Sequence, residues 1–201
     1  MDYKSETKKS YNLYPHKFDA KFSENVKAVK EKADEFLNSL NGKKILDLGS
    51  GSGHHALYFQ EKGFDPLCID ISEAMIQLCK RKGLPARVMD MENVSLPEEH
   101  YDGIWAYASL LHIPRANLPS VMEKLASLLK PHGILALTVK EGQGEGFEAQ
   151  EEYPGTQRWF TYFTEQEMQS LCEPCFEILK NSKSTVKEGT IMNMMMKKRD
   201  L

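Results

Sequence analysis

No stretch of the 201-residue chain approaches the roughly 18 consecutive apolar residues that would span a bilayer. The first ten residues are polar and charged where a secretion signal would carry an apolar run. Both features lead to the expectation of a cytoplasmic protein with no membrane partner. Basic excess is also missing. A net charge of −3 offers no general attraction to phosphate backbones, so no extensive nucleic-acid surface is expected. Cysteine is scarce, and Cys172-x-x-Cys175 has no second pair at zinc-ligand spacing, so no metal is expected. Cys68 and Cys79 read as small core residues, and Cys172 and Cys175 flank a helix end at Glu173 and Pro174. There is no internal repeat and no long low-complexity segment.

What is present is a globular composition, 41% hydrophobic and 27% charged, in a length that fits one core. Val26, Val29, Ala33, Phe36, Leu37 and Leu40 recur at helical spacing and place an amphipathic helix at 25–40, within an expected N-terminal helical lid segment, residues 1–40. After the Asn41-Gly42 break, strands are expected at 43–48, 65–70, 86–90, 101–108 and 134–140, with helices at 54–62, 72–82 and 116–130 between them. Strands separated by helices need crossover connections, so the sheet should be mostly parallel and covered on both faces. Residues 141–163, with several glycines and glutamates, read as a mobile loop. Thr164 and Glu167 form a capping box for a last helix, followed by a terminal hairpin turning near Lys187, Glu188 and Gly189. That hairpin supplies one antiparallel strand. The expectation is a single-domain, three-layer α/β/α Rossmann-like fold with seven strands, its core at 43–140 and its terminal part at 164–201.

The chemistry is concentrated at Asp47-Leu48-Gly49-Ser50-Gly51-Ser52-Gly53, between a strand and a helix start. Glycines there let the backbone turn sharply and approach a ligand closely, and the helix-start amides attract its negative end. Asp70 ends the next strand, 23 residues after Asp47, where a carboxylate accepts ribose hydroxyls. Two acids flanking one crevice favour a ribosyl ligand that also carries positive charge.

Residues 45–140 resemble the class I S-adenosylmethionine-dependent methyltransferases. The resemblance implies that Asp47, Gly49, Ser50, Gly51 and Gly53 wrap the methionine part of the cofactor and that Asp70, with Ile71, holds the ribose. Asp90 and Met91 are implied to meet the adenine. Tyr101-Asp102-Gly103-Ile104-Trp105-Ala106 matches the next family motif, whose end at Ala106 lies beneath the sulfonium. Leu129-Lys130-Pro131-His132-Gly133 matches the turn before the fifth strand. The chain is most similar to small bacterial-type members of unassigned substrate, with Leu110-Leu111-His112-Ile113-Pro114-Arg115 after the fourth strand. Expected activity is therefore methyl transfer to a small-molecule acceptor.

Two alternatives are weighed against this reading. Gly51-Ser52-Gly53-His54-His55-Ala56 also satisfies a dinucleotide fingerprint, but in that register a glycine falls inside the strand and Asp47 faces a pyrophosphate. A non-catalytic cofactor-binding protein acting through a partner has the same acids. Within the enzyme class, a nucleic-acid methyltransferase is disfavoured by charge. His112 is the candidate general base, with a loop histidine bonded to backbone as the plain alternative. His54 and His55 read as packing at the cofactor loop. Tyr11, Tyr14, Phe18, Trp159, Phe160 and Tyr162 are candidates to close over the cofactor as a lid, and Lys140 and Arg158 to meet a carboxylate on the acceptor. Asp70 is expected to be exposed enough that replacing it leaves the fold intact.

Overall fold

The computed structural model describes residues 2–186 and 189–200, and Lys187 and Glu188 of the expected hairpin turn lie outside the described residues. Two helices lead the chain, α1 (Tyr3–Leu13) and α2 (Pro15–Asn38). Asp2 caps the first through its carboxylate, and Pro15 opens the second, where a proline gives up no helical hydrogen bond. Next come β1 (Lys44–Leu48), α3 (His54–Glu61), β2 (Asp65–Asp70), α4 (Glu73–Arg81), β3 (Ala86–Val88), β4 (Tyr101–Tyr107), α5 (Leu118–Leu128) and β5 (Leu129–Lys140). The chain finishes with β6 (Glu145–Ala149), β7 (Gln157–Thr161), α6 (Glu165–Cys172), β8 (Phe176–Val186) and β9 (Gly189–Lys198).

Seven strands form one sheet in the order β3-β2-β1-β4-β5-β9-β8, and only β9 runs antiparallel to its neighbours. The central strands are apolar on both sides, as strands covered on both faces must be. Alternation then sorts the side chains. Leu46, Leu48, Ile104, Ala106, Leu135 and Leu137 pack with Leu118, Val121, Met122 and Leu125 of α5 and Met168 of α6. Ile45, Trp105, Ile134 and Ala136 face Val29, Ala33, Phe36 and Leu37 of α2 and Phe59 of α3. This is the expected three-layer fold. Thr164 and Glu167 form the expected capping box of α6, and no helix among the described residues is long and apolar enough to cross a membrane.

Residues 141–163 differ from the loop read in the sequence. They carry the β6-β7 hairpin, a separate two-stranded antiparallel sheet. Its glycine content masked it: Gly144 lies in left-handed backbone beside β6, and the pairing is held by Phe147, Trp159 and Phe160, with Phe147 edge-on to Trp159. Helix α1 is laid across this hairpin. Thr7 Oγ1 accepts the Trp159 amide at 3.0 Å, and Thr156 Oγ1 donates to Ser10 Oγ at 3.1 Å. On its other side α1 is pinned to the sheet by Lys4, which pairs with Asp90 and Glu92 at 2.6 Å each, and by Asn12, whose Oδ1 receives the Ser72 hydroxyl at 2.7 Å.

Candidate functional site

The β1 strand ends at Leu48, and the chain must reverse into α3 within a few residues. It does so through left-handed backbone at Gly49 and Gly51. A Cβ on Gly49 would stand 2.4 Å from Ser109 Cβ, and one on Gly51 would stand 2.6 Å from the Phe22 ring, so neither position accepts a side chain. The loop hangs on the end of β2: the Gly49 and Ser50 amides donate to the Ile69 carbonyl at 2.8 and 3.0 Å. The Gly51 amide donates to Asp70 Oδ2 at 2.9 Å, and the Ser72 amide to Asp70 Oδ1 at 2.8 Å. Asp70 is therefore a loop anchor as well as a strand-end acid. It is 9% exposed, which corrects the expectation of an exposed carboxylate. Burial pushes its pKa up to about 6, against the pull of those amides.

Asp47 is more deeply placed. It is 2% exposed, its carboxyl group meets the Ala56 amide, and its Oδ2 has no partner. Burial first, then the Asp70 carboxylate, push its pKa up to about 8.

A cavity of about 280 Å³ opens over the carboxyl ends of β1 and β4, where the strand order reverses. Asp47, Gly49, Ser50, Gly51, Asp70, Ile71 and Met91 line one end; Tyr107, Ala108 and Ser109 line the middle. The other end and the roof come from Thr7, Tyr11, Lys21, Phe22, Leu111, His112, Lys140, Gln150, Arg158, Phe160 and Ile191. Three lining residues hold buried polar atoms without partners among the described residues: Asp47 Oδ2, Ser109 Oγ and His55 Nε2. Buried polar groups are normally bonded, so this set calls for a polar ligand. His55 is driven down to about 4 by burial, leaving it neutral, so the set offers an acid, a hydroxyl and a neutral imidazole.

At the far end the His112 ring is fully engaged. Its Nδ1 lies 2.6 Å from the Trp159 carbonyl oxygen, which can only accept, so Nδ1 carries the proton and Nε2 accepts from the Tyr11 hydroxyl at 2.8 Å. Arg158 donates to that same hydroxyl oxygen at 3.0 Å and to Gln150 Oε1. Burial, then the Arg158 and Lys140 charges, hold His112 down to about 3.

Of the residues singled out in the sequence, Asp47, Gly49, Ser50, Gly51, Asp70, Ile71, Met91, Tyr11, His112, Lys140 and Arg158 meet in this one cavity. Five others are placed elsewhere. Gly53 caps α3, where a Cβ would strike Leu84 and Cys79. Ala106 packs on the α5 face, Asp90 is bonded to Lys4 and Asn93, the Tyr14 hydroxyl donates to the Pro154 carbonyl at 2.7 Å, and that of Tyr162 to Glu148. Phe160, one of the aromatic residues read as able to close over the cofactor, also lines the cavity, whereas sequence reasoning missed Ser109, Phe22 and Gln150. Phe22 had a legible signal in its four-residue spacing from Phe18, and the hairpin that places Gln150 was signalled by Pro154-Gly155, with Gly155 at φ +73, between β6 and β7.

A Rossmann-like sheet with this strand order, a glycine loop after its first strand and acids ending the first two strands define the class I methyltransferase fold. Residues 45–133 match the family model described as a methyltransferase domain, and the chain is similar to the class I S-adenosylmethionine-dependent methyltransferases. It is 35% identical over 126 residues to a sarcosine/dimethylglycine N-methyltransferase of Aphanothece halophytica, covering 58% of this chain and 45% of that protein. It is 33% identical over 120 residues to a tRNA (carboxymethyluridine(34)-5-O)-methyltransferase of Arabidopsis thaliana, covering 57% of this chain and 28% of that one. The chain thus spans less than half the length of these two curated relatives. Its fold is that of the magnesium protoporphyrin IX methyltransferase of Synechocystis PCC 6803 solved with bound S-adenosylmethionine, at a TM-score of 0.77 and 15% identity over 99% of this chain and 98% of that one.

Proposed function

We propose that this protein binds S-adenosylmethionine in the cavity and transfers its methyl group to a small-molecule acceptor. The observation that carries the reading is the buried, unpartnered Asp47 Oδ2 beside the glycine loop, joined in the same cavity by the open Ser109 hydroxyl and His55 imidazole. An acid in that position accepts an ammonium, and the two neighbours suit a carboxylate or hydroxyl, which together describe an amino-acid end group. Asp70, already bonded through one lone pair on each oxygen, keeps acceptor capacity for ribose hydroxyls, and Ile71 and Met91 give an apolar seat for a base. Bound S-adenosylmethionine supplies an electrophilic methyl group on a sulfonium. The protein's part is positioning, to which α1, α2 and the hairpin contribute by walling one side of the cavity. His112, neutral and doubly bonded, fixes the Tyr11 hydroxyl toward the cavity and acts as a positioning residue.

Thermal shifts with S-adenosylhomocysteine and with NAD test the reading. A ligand at about 100 times its Kd adds roughly 2.7 kcal/mol, so S-adenosylhomocysteine is expected to raise Tm. Stabilisation by NAD alone refutes the proposal. The relative that acts on tRNA favours a second acceptor class. The acidic net charge weighs against it, and incorporation of labelled methyl into bulk RNA in preference to a metabolite extract would establish it.

A further inference from the structure

Arg158 on β7 is 8% exposed, and among the described residues no carboxylate forms an ion pair with it. Its two hydrogen-bond partners, Tyr11 and Gln150, are neutral. The rings of Tyr11, Phe18, Tyr153 and Phe160 surround the guanidinium at 5.0 to 5.3 Å. Ring faces offset part of the desolvation of a cation. They do not neutralise it, and a guanidinium cannot shed its proton to escape burial. A second cation stands beside it: Lys140 Nζ lies 4.2 Å from the centre of the Phe160 ring that Arg158 faces at 5.0 Å. Both residues line the cavity, and both charges act on the His112 ring. Among the described residues that line the cavity the carboxylates are Asp47 and Asp70, and both belong to the glycine-loop end, away from Arg158 and Lys140.

Resting on the methyl-transfer reading, we infer that the methyl acceptor is a small carboxylic acid whose carboxylate seats between Arg158 and Lys140, with its remaining atoms against Leu111, Phe160 and Ile191. The planar fork of an arginine matches the two oxygens of a carboxylate, and Gln150 and Tyr11 hold that fork in place. An uncharged acceptor of the same shape would leave the buried guanidinium without a counter-ion.

Thermal shifts of the full-length chain with sodium acetate, compared with acetamide at matched ionic strength and with or without S-adenosylhomocysteine, test the seat directly. Acetate is expected to raise Tm and acetamide to leave it unchanged; Arg158→Gln is expected to abolish the acetate response, and Arg158→Lys and Lys140→Gln to weaken it. An absent acetate response in the wild type, an equal response to acetamide, or an acetate response that survives Arg158→Gln overturns the proposal. The two milder variants report even if Arg158→Gln does not fold. In parallel, labelled-methyl transfer is measured on a metabolite extract divided by anion exchange. Label is expected in the retained fraction and to fall about 100-fold in Arg158→Gln. Label confined to the unretained fraction rejects the acidic acceptor and leaves methyl transfer standing. A chain that responds to acetate but not to S-adenosylhomocysteine does the reverse: it rejects the methyl-donor reading and keeps the carboxylate seat.

Discussion

Replacing Asp47 by asparagine should stabilise the free protein and weaken its hold on the cofactor. The carboxyl group sits at about 8 in the folded chain against an ordinary value of 3.8, because burial and Asp70 both oppose its charge. A folded-state pKa raised above the unfolded one means that the native chain retains a proton the unfolded chain has released. Stability is then full below about pH 4 and is lost progressively as pH rises from there to about 8. Each pH unit above the unfolded value contributes about 1.4 kcal/mol, so at pH 7 the loss reaches about 4 kcal/mol, an upper figure because local relaxation reduces it. Asparagine has nearly the same shape and carries no proton to lose. With Tm moving roughly 2 to 4 °C per kcal/mol in a domain of this size, Asp47→Asn is expected to melt roughly 5 to 10 °C above the wild type at pH 7, and level with it near pH 4. Melting curves across that range, followed by circular dichroism, give the comparison. The same proton links to the ligand: an ammonium seated on Asp47 favours its ionised form, so binding of S-adenosylhomocysteine by the wild type should release a proton and tighten as pH rises from about 6 to 8. In the variant, affinity should be lower and flat with pH. An Asp47→Asn protein that melts below the wild type at pH 7, or that binds S-adenosylhomocysteine as tightly with an unchanged pH profile, refutes the reasoning.

Asp70→Ala is expected to lower S-adenosylhomocysteine affinity more than about 10-fold and to speed hydrogen exchange at the Gly51 and Ser72 amides, since one residue both bonds the loop and faces the cavity; unaltered exchange would show that the loop holds without it. Gly51→Ala, at φ +53 and with the Phe22 ring 2.6 Å from the added carbon, should destabilise by about 1 to 3 kcal/mol in denaturant melts, more than Gly63→Ala, whose φ is +83 but whose surroundings are open. Tyr11→Phe keeps the ring contact with Phe18 at 4.4 Å and removes the hydroxyl shared by His112 and Arg158, so kcat/KM should fall about 10-fold with S-adenosylhomocysteine affinity unchanged. A wild-type kcat/KM would leave Tyr11 a packing residue.

The central alternation of strands and helices was readable because each strand is a short apolar run bounded by glycine, proline or a cap, and the structure reproduces β2 at Asp65–Asp70 and the Ser72 cap of α4. Ends drifted where pairing outlasts the local pattern: β5 begins at Leu129 because Leu129 already pairs with Tyr101 before the Pro131-His132-Gly133 bulge, where His132 takes φ +61. The bounds of the first helix within the helical leading segment, and the β6-β7 hairpin, were not placed for a related reason. Neither has a strong pattern of its own, and each is held by the other through side chains such as Thr7 and Ser10. The donor end of the cavity was legible, since a glycine loop and two acids stand close in sequence. The other end was legible only as single residues, because Tyr11, His112 and Arg158 are brought together across 147 positions. Asp90 shows what the segment alone did not reveal: Lys4, on α1, pairs with its carboxylate.

The cavity has two origins in the chain. Its floor, from Asp47 to Met91, falls inside the stretch that matches the family model, whereas Tyr11, Phe22, Lys140, Arg158 and Phe160 fall before or after it. On the proposed reading, the terminal segments can be rebuilt to suit a different acceptor while the glycine loop and its acids stay as they are. The helix and the hairpin are halves of one clasp, since Thr7 and Ser10 of α1 bond Trp159 and Thr156 of the hairpin, so neither segment holds its place over the cavity without the other.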